Sequence, residues 1–449
     1  MSERDSRTDR ALSLLLRPFA KVEPAEAVTV CVMTLTVFLL LSAYYLLKTA
    51  REPLILLYGG AEVKSYAAAG QAVLLLAFVQ VYGSVAKKVG RMRLLIGVYL
   101  FFVANLVLFA ALTRAGVAVA VPFYLWVGVY NYTSIAQFWG YASDVYTPSQ
   151  GKRLFAIIGI GSSIGAVAGA RLAKTLVPLG PEALMLGAGI LLGVCCALLG
   201  WVNARVEAPV PQAAKDADSK PLSNESTFAL LANDKFLLLL AALTLFTNWC
   251  NSNGEYILDR TLLAAVPEGS SAKAAAIFLG QFKAQYFEWV NIVGMVLQLF
   301  AVSRVLDKLG VRAALFFLPV VAFGGYAVML VSPVLSLIRL AKVAENSLDY
   351  SVQNTARQAL YLVATRVEKY VGKTAVDSFF VRLGDVLSAC VVWLGARFAL
   401  STPAFAAINL SLILVWLVFV VLVGREHRRR SDQLEHDPSA AAAPRLAET

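Results

Sequence analysis

Gly83-Ser-Val-Ala-Lys87-Lys88-Val-Gly90-Arg91 and Ser303-Arg304-Val-Leu-Asp307-Lys308-Leu-Gly310-Val-Arg312 are two versions of one pattern. Each closes an apolar block with a pair of charges, one apolar residue, a glycine, and an arginine within two residues. Glycine permits a tight turn, and the basic groups suit a position at lipid headgroups. The same pattern recurs half a chain apart, at the end of the second helix of each half, so the chain reads as two related halves.

Around these motifs the composition is that of a membrane protein. Of 449 residues, 59% are hydrophobic and 15% charged, against about 45–50% and about 25% in soluble domains. The apolar residues come in blocks of about 20, enough to cross a ~30 Å hydrocarbon core as helix. Such blocks are helices because a backbone in lipid must satisfy its own hydrogen bonds. Helices are expected near residues 27–49, 66–86, 94–113, 117–142, 154–175 and 182–203. A second set is expected near 236–262, 284–304, 312–331, 334–361, 373–396 and 402–424. The expectation is an all-α polytopic membrane protein of twelve transmembrane helices, with bundles at 27–203 and 235–424. The stretch 204–234, with Pro209, Pro211, Pro221 and several charges, reads as a linker. The segments 1–26 and 425–449 read as polar ends, the latter as a disordered tail opening with Arg425, Arg428, Arg429 and Arg430.

The formal charge of +11 reads as a topology signal, and nucleic acid is not an expected partner. Lys87, Lys88, Arg91, Arg93, Lys152, Arg153, Arg304, Lys308, Arg312, Arg366 and Lys369 fall in loops after the second, fourth, eighth and tenth helices. The intervening loops carry almost none. The positive-inside rule then puts both termini in the cytoplasm of a bacterial inner membrane. The polar start argues against a cleaved secretory signal. Cys31, Cys195, Cys196, Cys250 and Cys390 lie in apolar blocks and read as packed thiols, while His427 and His436 stand in the tail. No histidine–metal cluster and no Walker A sequence occurs, so no cofactor is expected and energy must come from a gradient or from exchange. No nucleophile–base pair suggests an enzyme.

Polar residues inside the blocks fall on stripes at spacings of three and four, which share a helix face. The fourth helix carries Tyr130, Ser134, Gln137, Tyr141 and Asp144. The seventh carries Thr244, Asn248, Asn251, Glu255 and Asp259, and the tenth Lys342, Glu345, Asp349, Gln353 and Arg357. The first helix ends in Tyr45, Lys48, Arg51 and Glu52. These are the first and fourth helices of each half. Ionisable groups in lipid cost a few kcal/mol each, so they face a cavity or a partner. The alternative is that they pair only to hold the bundle together. In the fifth helix, Gly161, Gly165 and Gly169 at four-residue spacing form a small-residue face for close helix packing.

Two further stretches carry a family resemblance. Trp139-Gly140-Tyr-Ala-Ser143-Asp144 followed by Lys152-Arg153-Leu-Phe155 resembles the end of the fourth helix in the ATP/ADP (nucleotide) translocases of plastids and obligate intracellular bacteria. Ser351-Val-Gln-Asn354-Thr-Ala-Arg357-Gln358-Ala-Leu-Tyr361, with Gly372-Lys373-Thr-Ala-Val-Asp377 and Arg382-Leu-Gly384-Asp385, is similar to their helix 10–11 region. The duplicated motif likewise resembles that of the major facilitator superfamily. The resemblance implies two parallel six-helix repeats around a midplane site and exchange of a small anionic solute such as ATP or ADP. The departures are specific. Where the exchangers carry Asp-Pro-Thr-Lys-Glu, this chain has Asn354-Thr-Ala-Arg357-Gln358, and Asp385 stands where they have a lysine.

The expected function is therefore secondary transport by alternating access. Lys48, Arg51, Tyr130, Gln137, Asn248, Asn251, Gln353, Arg357 and Lys373 are the expected substrate contacts. Glu52, Asp144, Glu255, Asp259, Glu345, Asp349, Asp377 and Asp385 are expected in coupling or gating. A flippase for a lipid headgroup, or a receptor or scaffold that no longer transports, are the alternatives.

Overall fold

Helical backbone occupies each of the twelve expected positions. The computed structural model describes residues 22–86, 89–205, 233–365, 368 and 372–436. Lys87, Lys88, Arg366, Lys369 and most of the expected linker lie outside the described residues. The helices are α1 (Pro24–Ala86), α2 (Arg91–Arg114), α3 (Ala120–Val145), α4 (Pro148–Leu176), α5 (Pro181–Arg205), α6 (Lys235–Ala264), α7 (Ala272–Phe300), α8 (Val302–Val331), α9 (Leu335–Leu348), α10 (Asn354–Leu360), α11 (Val381–Arg397) and α12 (Thr402–His436). Among the described residues there is no strand. Among the described residues, seven helices are long and apolar enough by themselves to cross a bilayer. The stripe-bearing α3 and α6 are not among them because their polar residues dilute them, and α9 because it has only 14 residues before the backbone turns irregular. The chain is an all-α polytopic membrane protein.

Several boundaries differ from expectation, for local reasons. The first two spans form one 63-residue helix, α1, with Pro53 inside it and a break only at Gly60, where φ is 74°. Glycine alone adopts that conformation without strain, and the lost proline hydrogen bond is tolerated in membrane helices. The second motif glycine, Gly310, has φ 79° inside α8. The first, Gly90, caps α2 at φ −58°, so only the second copy needs glycine for its backbone. α12 does not stop at 424. It runs on to His436, so the first part of the expected disordered tail is ordered helix.

The chain divides into two compact units, and each borrows from the other half of the sequence. Unit 1 holds residues 1–60, 73–219 and 266–291; unit 2 holds 61–72, 220–265 and 292–449. In unit 1, α1 and α4 approach through the glycine face. A Cβ on Gly161, Gly165 or Gly169 would lie 2.6, 2.3 or 2.5 Å from the Thr34 oxygen, the Phe38 oxygen or the Ser42 Cα. The Ser42 hydroxyl donates across this seam to the Gly165 carbonyl at 3.0 Å. α4 starts with a capping box of Thr147 and Gln150. Glu26, at the start of α1, accepts from Arg153 at 3.0 Å and Gln150 at 2.8 Å.

Unit 2 ties the start of its first helix in a related way. Asp234 caps α6 by accepting from the Leu237 N–H at 2.9 Å. Arg430, on the extension of α12, donates to Asp234 at 2.8 Å and to Glu368 at 2.9 Å. Burial pushes the Asp234 carboxyl up, but hydrogen bonds shared with Glu368 and donated by Arg430 and Leu237 hold it at about 2. Burial, and the hydrogen bond it shares with Asp234, push the Glu368 carboxyl above its usual value. The arginine that sequence placed in a disordered tail therefore closes one end of unit 2.

Candidate functional site

The expected site residues fall into separate groups. In unit 1, Lys48, Arg51 and Glu52 end the first limb of α1. The Lys48 ammonium sits 4.2 Å from the Phe287 ring centre and 5.4 Å from that of Tyr45, a cation–π setting. The Tyr45 hydroxyl donates to Asn291 at 2.9 Å. Arg51 lies 4.6 Å over Tyr124 and reaches Glu52 at 3.2 Å. The second Glu52 oxygen is 3.7 Å from the Lys283 ammonium, and both side chains are buried.

Unit 2 holds a matching pair. Lys64 donates to Asp259 at 2.7 Å, and beside it Tyr256 donates to Glu62 at 2.8 Å. In each unit, a carboxylate near the end of its first long helix meets a lysine borrowed from the other half of the sequence. Sequence reasoning did not single out Lys64 or Lys283. Both lie just outside the expected spans at 66–86 and 284–304. The available signal was the repeat: the two lysines stand at nearly the same distance before Gly90 and Gly310.

The α3 stripe is placed differently. Tyr130 is buried against Phe102 and Trp126, with ring centroids 5.1 and 5.8 Å away, and Tyr99 of α2 donates to the Ser134 carbonyl at 3.2 Å. Gln137 lines a groove of about 420 Å³ with Phe78, Tyr82, Arg91 and Leu94. Asp144 pairs with Arg91. These residues therefore pack on α2 and the second limb of α1, within unit 1. Periodicity assigned them to one face correctly, but it carries no information about which neighbour that face meets.

The α6 and α9 stripes do converge. Lys342 is fully buried and donates to Asn251 Oδ1 at 2.7 Å and to Glu345 at 3.0 Å, with Glu255 at 3.8 Å. Asn346 donates to Glu255 at 2.9 Å. The Tyr326 hydroxyl stands 3.1 Å from both Glu345 Oε2 and the Cys250 carbonyl. One helical turn away, Asn248 donates to Asp385 at 2.8 Å and to the Val381 carbonyl at 2.6 Å. Asp385 also accepts from Ser252 at 2.8 Å and from Arg382 at 3.1 Å. Asp385 is thus held by three donors of its own unit.

Beyond Glu345 the helix turns irregular. Asp349–Gln353 forms a π-turn between α9 and α10, and Val376–Phe380 forms another ahead of α11; such bulges are frequent at functional sites. On this stretch several buried hydrogen-bonding groups lack protein partners. Both amide atoms of Gln353, Nε of Arg357, the hydroxyl of Tyr361 and one oxygen of Asp377 are buried with no hydrogen bond. Gln353, Arg357 and Tyr361 recur every four residues and share one face. The Lys373 ammonium bonds Gln358 and sits 5.5 Å from the Tyr361 ring centre. Buried polar groups in native proteins have partners, so such a row calls for water or a ligand. A guanidinium, an ammonium, an amide and a phenol together match an oxyanion.

The chain is similar in sequence to curated carrier proteins. The "ADP,ATP carrier protein 1" of Chlamydia trachomatis is 24% identical over 351 residues, covering 68% of this chain and 65% of that protein. The chloroplast "ADP,ATP carrier protein 1" of Arabidopsis thaliana is 22% identical over 347 residues, covering 69% of this chain and 54% of that protein. In sequence the chain is similar to these carriers across about two thirds of its length. It spans less than two thirds of the length of these curated relatives. No family model matches. Among solved structures, a POT family transporter in complex with 5-aminolevulinic acid superposes with a TM-score of 0.61 over 88% of this chain and 96% of that one, at 11% identity. This likeness shows the fold alone.

Proposed function

We propose that this transporter exchanges a phosphorylated anion of the nucleotide class across a bacterial cytoplasmic membrane, by alternating access, with both termini inside. The row of unsatisfied buried groups at Gln353, Arg357 and Tyr361, with Lys373 beside it, carries the reading. In it Arg357 grips a phosphate oxyanion, Lys373 adds a point charge, and Gln353 and Tyr361 orient what remains. The relatives' printed names supply the nucleotide class. The ion pairs Glu52–Lys283 and Asp259–Lys64 are the groups that part and rejoin as access changes.

The test is thermal stabilisation of the purified protein by ATP, ADP, other nucleotides, sugar phosphates, carboxylates and lipid headgroups, since a ligand of the folded state raises its stability by mass action. A shift with nucleotides that is lost in Arg357→Gln is expected. A shift only with headgroups moves the chain to lipid handling. An unchanged nucleotide shift in Arg357→Gln removes Arg357 from the site.

A further inference from the structure

The Lys342–Glu345 pair lies where no solute reaches it. Lys342 is 0% exposed, Glu345 4% and Tyr326 0%. What can enter such a site is a proton. A buried ion pair is no efficient source of stability, because apolar residues of like size often do as well. Ionisable groups inside membrane helices are by default functional.

We infer that Glu345 is a proton-binding site that couples transport to a proton gradient. Its surroundings satisfy both protonation states. With Glu345 ionised, it accepts from Lys342 at 3.0 Å and from the Tyr326 hydroxyl at 3.1 Å. With Glu345 protonated, its hydroxyl donates to the Tyr326 oxygen, and the phenol hydrogen turns to the Cys250 carbonyl, also at 3.1 Å. Tyr326 has one hydrogen and two acceptors at equal distance, and its rotation moves the bond. Lys342 has a second carboxylate, Glu255, at 3.8 Å, so it keeps a counter-charge when Glu345 is neutral. Glu255 is the more exposed of the two, with a side chain 26% exposed, and provides the way in. A side chain at Gly254 would collide with this centre, its Cβ falling 1.9 Å from the Tyr326 oxygen and 2.9 Å from the Lys342 ammonium.

The titratable groups facing Glu345 are Lys342 on α9, Glu255 and Cys250 on α6, and Tyr326 on α8. Asp349, next on the stripe, feels both Lys342 and Arg357. In this proposal the proton on Glu345 travels with the anion held at Arg357.

The transport arm of the test rests on the nucleotide reading; the spectroscopic arm does not. Uptake of labelled ADP into proteoliposomes is measured with and without an inside-alkaline pH gradient, beside counterflow against internal ATP at equal pH. The gradient is expected to accelerate wild-type uptake, and that acceleration is expected to vanish in Glu345→Gln. Wild-type counterflow with no response to the gradient overturns the proton site and leaves exchange standing. If ADP is not carried at all, the nucleotide reading fails and infrared titration of the purified protein decides. A carboxyl C=O band that titrates in wild type is expected to be missing from Glu345→Gln and displaced in Tyr326→Phe. Identical titrations in wild type and both variants overturn the proposal.

Discussion

Replacing Gly165 by alanine tests the α1–α4 seam, because the atoms it would strike are backbone. The new Cβ would stand 2.3 Å from the Phe38 oxygen and 2.8 Å from its Cα. Ordinary contact begins near 3.4 Å, so the helices must separate by about 1.1 Å (3.4 minus 2.3), and no side-chain rotation can absorb it. Gly161 and Gly169 are in the same register, so the displacement is shared along the seam. Overpacking of this kind costs about 1–3 kcal/mol, and losing the interhelical Ser42 bond adds about 0.6 kcal/mol. Better helix propensity returns up to ~1 kcal/mol. The expected net loss is roughly 1–3 kcal/mol. Gly159→Ala is the matched control on the same helix, since nothing lies within 4 Å of its Cβ position, and it should be neutral or stabilising. Equilibrium unfolding in mixed micelles measures both. Equal effects of the two substitutions would refute the reasoning.

Other expectations follow from the polar groups. Lys283→Met removes one of the two cations facing the buried Glu52, Arg51 remaining at 3.2 Å, and should cost up to about 3 kcal/mol, with stability recovered in part by adding Glu52→Gln; no recovery in the double variant would show that the pair is not coupled. Asp385→Lys places a second cation beside Arg382 and removes the acceptor of Asn248 and Ser252, so it should lower the unfolding midpoint and leave nucleotide binding no tighter. Asp234 is depressed to about 2 in the folded protein against about 3.9 unfolded. Its contribution is therefore present above pH ~4 and lost as pH falls toward 2. Asp234→Asn should flatten that part of the stability–pH curve, and an unchanged acid limb would count against the Arg430 clasp.

The bundle was legible because membrane physics leaves few choices. Blocks of about 20 apolar residues can only be helices. Boundaries were less legible. The expected gap between residues 49 and 66 is absent, because the helix runs on through Pro53 and breaks only at Gly60. Arg430 looked like part of a basic tail because its partners, Asp234 and Glu368, are distant in sequence. In the site, the α6 and α9 stripes were readable because their charges recur at four-residue spacing and must find partners in a dry interior. Lys64 and Lys283 were not, because each stands just beyond an apolar block, where a lysine is expected to reach water.

The borrowed segments also bear on how the protein is made. Unit 1 cannot be finished until residues 266–291 leave the ribosome, although most of its helices are synthesised first. Until then Glu52 waits in the membrane without Lys283. Lys64, carried in the first half, waits in turn for Asp259. An N-terminal fragment ending in the linker would keep both defects permanently, and its complementary fragment would lack residues 61–72. Neither half should accumulate when expressed alone. Expressed together, each should protect the other from the cell's membrane proteases.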